Sequence, residues 1–285
     1  MSSNLVPFHG RTNVSQAFQT ATEQFRDEFA RGGDFRGFAP SGHFNFTDAP
    51  NLELSASCPV LIVPSQDGTT KVAIDANADD LEGFQVNQIG DTVFLRQNAG
   101  RGAGSINISS VGGSVHISGF SGGSVIINGV RMDAGGFGNR QSTKMPRVVI
   151  AAPSGGNLEA DMNGQATLLS AIFHNEAHLD LSGQCKVAVA AGEIDLETSG
   201  QGTVILNVGG GDLKVDTSGM GSCQAFGEFN NVKADLSGMG SIFTEGTVKG
   251  RYNADASGMG SIMHRGPIHG RVKKTSSGMA QIHVG

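Results

Sequence analysis

Met220, Met239, Met259 and Met279 stand 19, 20 and 20 residues apart, each inside an SGM run. Asp216, Asp235 and Asp255 precede the first three by four residues. Two kinds of chemistry are open to such columns. Thioethers are soft ligands that suit Cu(I) rather than hard cations. Stacked carboxylates suit calcium. Each also has a plain structural reading. Methionine is a flexible apolar filler of cores and shallow surfaces, and this packing role is the expectation here. Asp and Ser near a turn accept bonds from backbone N–H groups. The calcium-binding nonapeptide GGxGxDxUx has a different spacing, so turn chemistry is expected rather than a cation site.

The other candidates for chemistry are weaker. The histidines are His9, His43, His116, His174, His178, His264, His269 and His283. His174 and His178 are four apart in HNEAH and read as a surface pair, with no third ligand for zinc. His264 and His269 flank RGPI, within reach of His283 one repeat later, which leaves a weak metal or pH hypothesis. Cys58, Cys185 and Cys223 are odd in number and far apart, without CxxC spacing, so they read as buried small hydrophobes. No G-x-S-x-G elbow with matching His and Asp occurs. The expectation is a protein that is not an enzyme and holds no cofactor and no metal.

The methionines belong to a longer repeat. Aligned on the SG pair, the copies start at Asn163, Ser182, Ser199, Ser218, Ser237, Ser257 and Ser277, with spacings of 19, 17, 19, 19, 20 and 20. Two positions earlier stand Asp161, Asp180, Glu197, Asp216, Asp235, Asp255 and Thr275. Runs such as VKADL (232–236) and GTVILNV (202–208) alternate apolar and polar residues, as a strand with one buried face does. A 19–20-residue unit holds two short strands and their turns, and cannot bury its apolar side alone. It must stack on its neighbours. At about 4.8 Å per coil, seven coils rise roughly 30 Å. The fold class expected is all-β: a right-handed parallel β-helix with a short N-terminal amphipathic helix. Gly183, Gly200, Gly219, Gly238, Gly258 and Gly278 then form the corner, because glycine turns at no steric cost. Ile follows to start the inward-facing strand.

Composition supports this. Glycine is 43 of 285 residues, about twice the usual share, while proline is 8, Tyr 1 and Trp 0. A net charge of −6 without basic runs excludes a nucleic-acid surface. No 18-residue apolar run is present, so no membrane span is expected. The opening MSSNLVPFHGRTNVSQ has no apolar signal-like core, which points to the cytoplasm.

Upstream, residues 51–97 read as less regular β structure. GDT (90–92) and SQDGTT (65–70) read as hairpin turns. Residues 98–143 form a Gly/Ser-rich insertion carrying short β runs, with Asn128-Gly129 predicting a two-residue hairpin. Residues 1–50 form a Phe-rich arm or cap and hold 8 of the 16 phenylalanines. NVSQAFQTATEQFRDEFARGG reads as one amphipathic helix with Phe18, Phe25 and Phe29 on one face. That face either covers the solenoid end or docks a partner.

The segment from about 50 to 285 resembles the bacterial family described as putative auto-transporter adhesin, head GIN domain. The SGMGSI and SGQG corners, the VVIAAP stretch and the closing GSIMHRGPIHGRVKKTSSGMAQI carry the resemblance. Pro267 matches the family's closing pattern, while Ala280 stands where glycine is usual. The resemblance implies a parallel β-helix and a cell-surface setting. The function expected is that of an interaction module that self-associates, as a homo-oligomer, or binds a protein or glycan. The strand-like AQIHVG suggests pairing through an uncovered coil edge. The alternatives are an intracellular scaffold assembled through the Phe-rich arm and a carbohydrate-active β-helix enzyme.

Overall fold

A computed structural model describes residues 38–98, 106–108, 123–127, 130–134 and 145–285. Alternation of apolar and polar residues decides the elements. Val232–Gly238 buries every second side chain, and so does Ser241–Val248. Each coil consists of two such strands, one on each of two faces, with the apolar sides turned together. Burying one Val, Leu or Ile contributes roughly 1.5–3 kcal/mol, so a coil is stable only between neighbours that cover it.

The strands are β1 (Gly42–Phe46), β2 (Asn51–Ala56), β3 (Pro59–Pro64), β4 (Thr70–Asp75), β5 (Phe84–Ile89), β6 (Thr92–Gln97), β7 (Ile106–Ile108), β8 (Gly123–Ile127) and β9 (Val130–Ala134). They continue with β10 (Arg147–Ala152), β11 (Leu158–Met162), β12 (Thr167–Gly183), β13 (Lys186–Gly200), β14 (Thr203–Gly209), β15 (Leu213–Gly219) and β16 (Ser222–Phe229). The last are β17 (Val232–Gly238), β18 (Ser241–Val248), β19 (Tyr252–Gly258), β20 (Ser261–Arg265), β21 (Val272–Gly278) and β22 (Gln281–Val284). Among the described residues there is one short helix, α1 (Ala78–Leu81), capped by Asn77, whose side chain accepts from the Asp80 N–H.

On the first face β6, β2, β11, the end of β12, the end of β13, β15, β17, β19 and β21 stack in parallel. On the second, β10, β3, the start of β12, the start of β13, β14, β16, β18, β20 and β22 do the same. The parallel β-solenoid expected from the repeat is therefore present. Register pairs Ser182, Ser199, Ser218, Ser237, Ser257 and Ser277 in turn, and pairs Gly183, Gly200, Gly219, Gly238, Gly258 and Gly278 beside them. Asp161 pairs with Asp180, which puts Asn163 at the head of the same column. The 17-residue spacing is absorbed by a bulge in β12, where the register slips between Leu169 and Phe173.

The first coils do not stack in chain order. β10 lies between β3 and β4, parallel to one and antiparallel to the other. SQDGTT therefore joins two strands that do not pair, and the hairpin expected there is absent. The GDT turn does form a hairpin: Ile89 pairs with Thr92, and Gly90 has φ 62°. β6 and β10 share one layer, and Gln97 at the end of β6 stands at the corner that SG occupies elsewhere. Gln97 Oε1 accepts from the Ser57 N–H and hydroxyl at this corner (3.0 and 3.3 Å). Within the Gly/Ser-rich stretch, β8 pairs antiparallel with β9, Ile127 opposite Val130, and β7 pairs parallel with β8. This three-stranded sheet is separate from the solenoid sheet.

At this end the core is closed by Phe44, Phe46, Leu81 and Phe84, all buried. β1 pairs antiparallel with β4. The buried Arg147 forms an ion pair with Asp75, whose carboxylate also accepts from the Ala39 N–H (3.0 Å), and the Arg147 guanidinium lies 5.5 Å from the Phe38 ring centroid. The amphipathic helix expected with Phe18, Phe25 and Phe29 lies outside the described residues.

Candidate functional site

The corner that follows the first face positions the methionines. The N–H of Met220, Met239, Met259 and Met279 donates to the carbonyl of Gly200, Gly219, Gly238 and Gly258 respectively, at 2.9, 2.9, 2.9 and 2.8 Å. Identical bonds stack the four residues in one column. The glycines on either side are sterically required. Gly238 has φ 144°, and a Cβ there would lie 2.4 Å from the Gly219 carbonyl oxygen. A Cβ on Gly240 would lie 2.4 Å from the Gly221 oxygen. Between them the methionine side chain can only point outward.

All four methionines are exposed, by 50, 53, 55 and 71% in chain order. They line a groove of about 410 Å³ together with Ser222, Ser241, Ser261 and Gln281. No charged side chain lines it. Of the two places a methionine stack could fill, core or shallow surface, the structure selects the surface. Beyond the serines the outer side of the second face carries Phe243 and the half-exposed Met263, in register with each other. Phe243 meets Phe226 edge-on, with ring centroids 6.2 Å apart.

The carboxylates lie elsewhere. Asp161, Asp180, Glu197, Asp216, Asp235 and Asp255 form one column on the outside of the first face, on the strand rather than in the turn. The column beside it holds His178, Asp195, Lys214 and Lys233. Lys214 bridges Asp195 and Glu197 at 3.0 and 3.1 Å, and Lys233 pairs with Asp235 at 2.7 Å. These carboxylates raise both lysine pKa values. The ladder thus faces solvent, with Glu197 and Asp235 paired to lysines, rather than bonding backbone N–H groups at a corner. Among the described residues no group of three or more His, Cys, Asp or Glu is placed to hold a metal.

Two histidine expectations are corrected. His174 and His178 are not a surface pair, because β12 turns between its two faces around them. His174 is fully buried, with Nε2 2.9 Å from Ser170 Oγ in the bulge. Burial pulls its pKa down to about 4. His178 is exposed and faces Asp195 at 3.8 Å. His264 likewise points inward, away from the exposed His269 and His283. Thr244 Oγ1 lies 3.0 Å from Tyr252 Oη and 2.9 Å from His264 Nδ1, a buried network inside the last coils. Burial lowers the His264 pKa and raises that of Tyr252 to about 12. The sequence reading missed both networks. The available signal was a polar residue, Thr244 or His264, at a position where strand alternation calls for an apolar one. The three cysteines are buried and unpaired, and burial pushes the Cys58 and Cys223 thiols up to about 12.

The last coil differs from the rest. β21 is exposed throughout, and the inward positions held by Ala254 and Ala256 in β19 become Lys274 and Ser276. Lys274 Nζ donates to the Val284 carbonyl (3.2 Å). An inward-pointing charge of this kind discourages the addition of a further strand pair.

The family model described as "Putative auto-transporter adhesin, head GIN domain" matches residues 51–285. The chain belongs to this head GIN domain family. Solved structures similar to it include a "putative adhesin" of Parabacteroides distasonis ATCC 8503, 12% identical, covering 87% of this chain and 98% of that one (TM-score 0.44). A "putative adhesin" of Bacteroides fragilis NCTC 9343 is 13% identical over 85% and 95% (TM-score 0.37). A "putative lipid binding protein" of P. distasonis ATCC 8503 is 12% identical over 88% and 98% (TM-score 0.41). No curated protein matches the chain in sequence. Within this GIN-domain chain, no helix among the described residues is long and apolar enough to cross a membrane.

Proposed function

We propose that this GIN-domain chain is a non-enzymatic, adhesin-like contact module whose methionine corner meets a protein surface, and that a second copy of the chain is its occupant. One observation carries the reading: four exposed methionines line one uncharged groove over four coils. Flexible thioether side chains adapt to a partner's relief, which suits a contact surface. The first face carries charges of both signs that a second copy would have to desolvate, whereas the groove has no charged lining. Pairing end to end, through the last coil, would bury Lys274 without a counter-charge. Pairing side by side through the corner does not. A protein partner also fits better than a glycan, since the lining offers neither aromatic faces nor carboxylates. The family description supports a setting at the cell surface. The description of the family as a "putative auto-transporter adhesin" supports a non-enzymatic role.

Sedimentation tests this directly. The protein should show concentration-dependent self-association, and Met239→Lys/Met259→Lys should be monomeric at every concentration with an unchanged melting temperature. A parent protein that stays monomeric at high concentration, or a variant that associates equally well, would overturn the reading.

A further inference from the structure

The groove has a second chemical property. Its four thioethers are neutral at every pH, soft, and held at a fixed spacing. Adjacent coils are about 4.8 Å apart. A zinc–sulfur bond is about 2.3 Å, and two bonds of roughly that length set in line span about one coil step. The step from one methionine to the next therefore matches what a two-coordinate ion requires. The identical backbone bonds from Met220, Met239, Met259 and Met279 keep this step constant along the column. Exposure of 50% or more leaves each sulfur free to turn toward its neighbour.

We propose that the Met220–Met239–Met259–Met279 ladder binds soft monovalent d10 cations, Cu(I) or Ag(I), each ion bridging two thioethers from adjacent coils. Thioether donors select such ions. The same lining rejects hard cations and zinc, because it supplies only Met, Gly, Ser and Gln. Four methionines make three adjacent pairs, of which two can be filled at once without sharing a sulfur, so the groove holds up to two ions. The sequence reading expected no metal and preferred packing for these residues. What changes the reading is that all four side chains are half exposed or more and line one groove. Metal binding needs only one copy of the chain, so it stands or falls independently of the contact proposed above.

The middle methionines decide the matter. Without Met239 and Met259 the two that remain are three coils, about 14 Å, apart and cannot share an ion. Without Met220 and Met279 one adjacent pair survives. Protein carrying 13C-labelled methionine methyl groups, at a concentration where it is monomeric, is titrated with Ag(I). The four groove resonances should shift and saturate at two ions. In Met239→Leu/Met259→Leu the Met220 and Met279 signals should not move. In Met220→Leu/Met279→Leu the remaining pair should shift with one ion. Leu replaces Met at similar volume, and thermal melting checks that each variant is folded. Groove signals that stay still in the parent protein under excess Ag(I) would overturn the proposal. So would Met220 and Met279 signals that shift in Met239→Leu/Met259→Leu as they do in the parent.

Discussion

His174 is the residue with the most at stake in its protonation. It is fully buried against Ser170, and burial holds its pKa at about 4, below its ordinary 6.5. The unfolded chain therefore takes up a proton before the folded one does. Stability is full above about pH 6.5 and declines as the pH falls to about 4. At 1.36 kcal/mol per pKa unit, the total loss from this one group is about 3 kcal/mol. Urea denaturation at pH 7, 5 and 4 should show this decline. His174→Gln should flatten it, because an amide keeps a bond to Ser170 and takes no proton in this range. A variant as acid-sensitive as the parent would remove His174 from the account. The signal in the sequence was HNEAH. Its spacing was legible, but the side chains' directions were not, because the bulge that turns His174 inward arises from stacking on β13.

At the scale of the corner, neighbouring residues have opposite demands. Gly238 is at φ 144° with the Gly219 oxygen 2.4 Å from where a Cβ would sit, while Met239 beside it is exposed. Gly238→Ala combines backbone strain with a clash against a backbone that the next coil holds in place, and should cost about 2–4 kcal/mol. Met239→Ala should cost less than about 0.5 kcal/mol, as an exposed position does. Chemical denaturation of the pair checks this, and similar losses for the two would disprove it. The contrast separates the part of SGMGSI that makes the coil from the part that is free for another use.

At the scale of the molecule, each coil contacts only its neighbours, and stability behaves as a sum over layers. Residues 222–240 are one full coil: their removal joins Gly221 to Ser241 and recreates the SGMGSI corner. The shortened chain should still unfold cooperatively, at a lower melting temperature. Removing 222–231 alone takes out one strand and inverts the next layer, and should abolish folding. Circular dichroism melts distinguish the two. A half-coil deletion that melts like the full-coil deletion would contradict the register. The two ends differ in how they are closed. One is covered by antiparallel strands and a buried Arg147–Asp75 pair, the other has Lys274 facing over its last coil.

The sequence by itself determined the coil. A repeat of apolar alternation and SG corners has one economical solution, because each unit must bury its apolar side on the next. The corner glycines and the inward Ile242 and Ile262 followed from pattern alone. Only the tertiary structure decided the rest. It set β10 between β3 and β4, since pairing between strands distant in the chain leaves no periodic trace. It turned the carboxylates onto the solvent side of the first face, beside lysines, and His174 and His264 inward. It also placed the methionines outside. A side chain between two glycines can face core or solvent, and the stacked carbonyls of the neighbouring coil settle which.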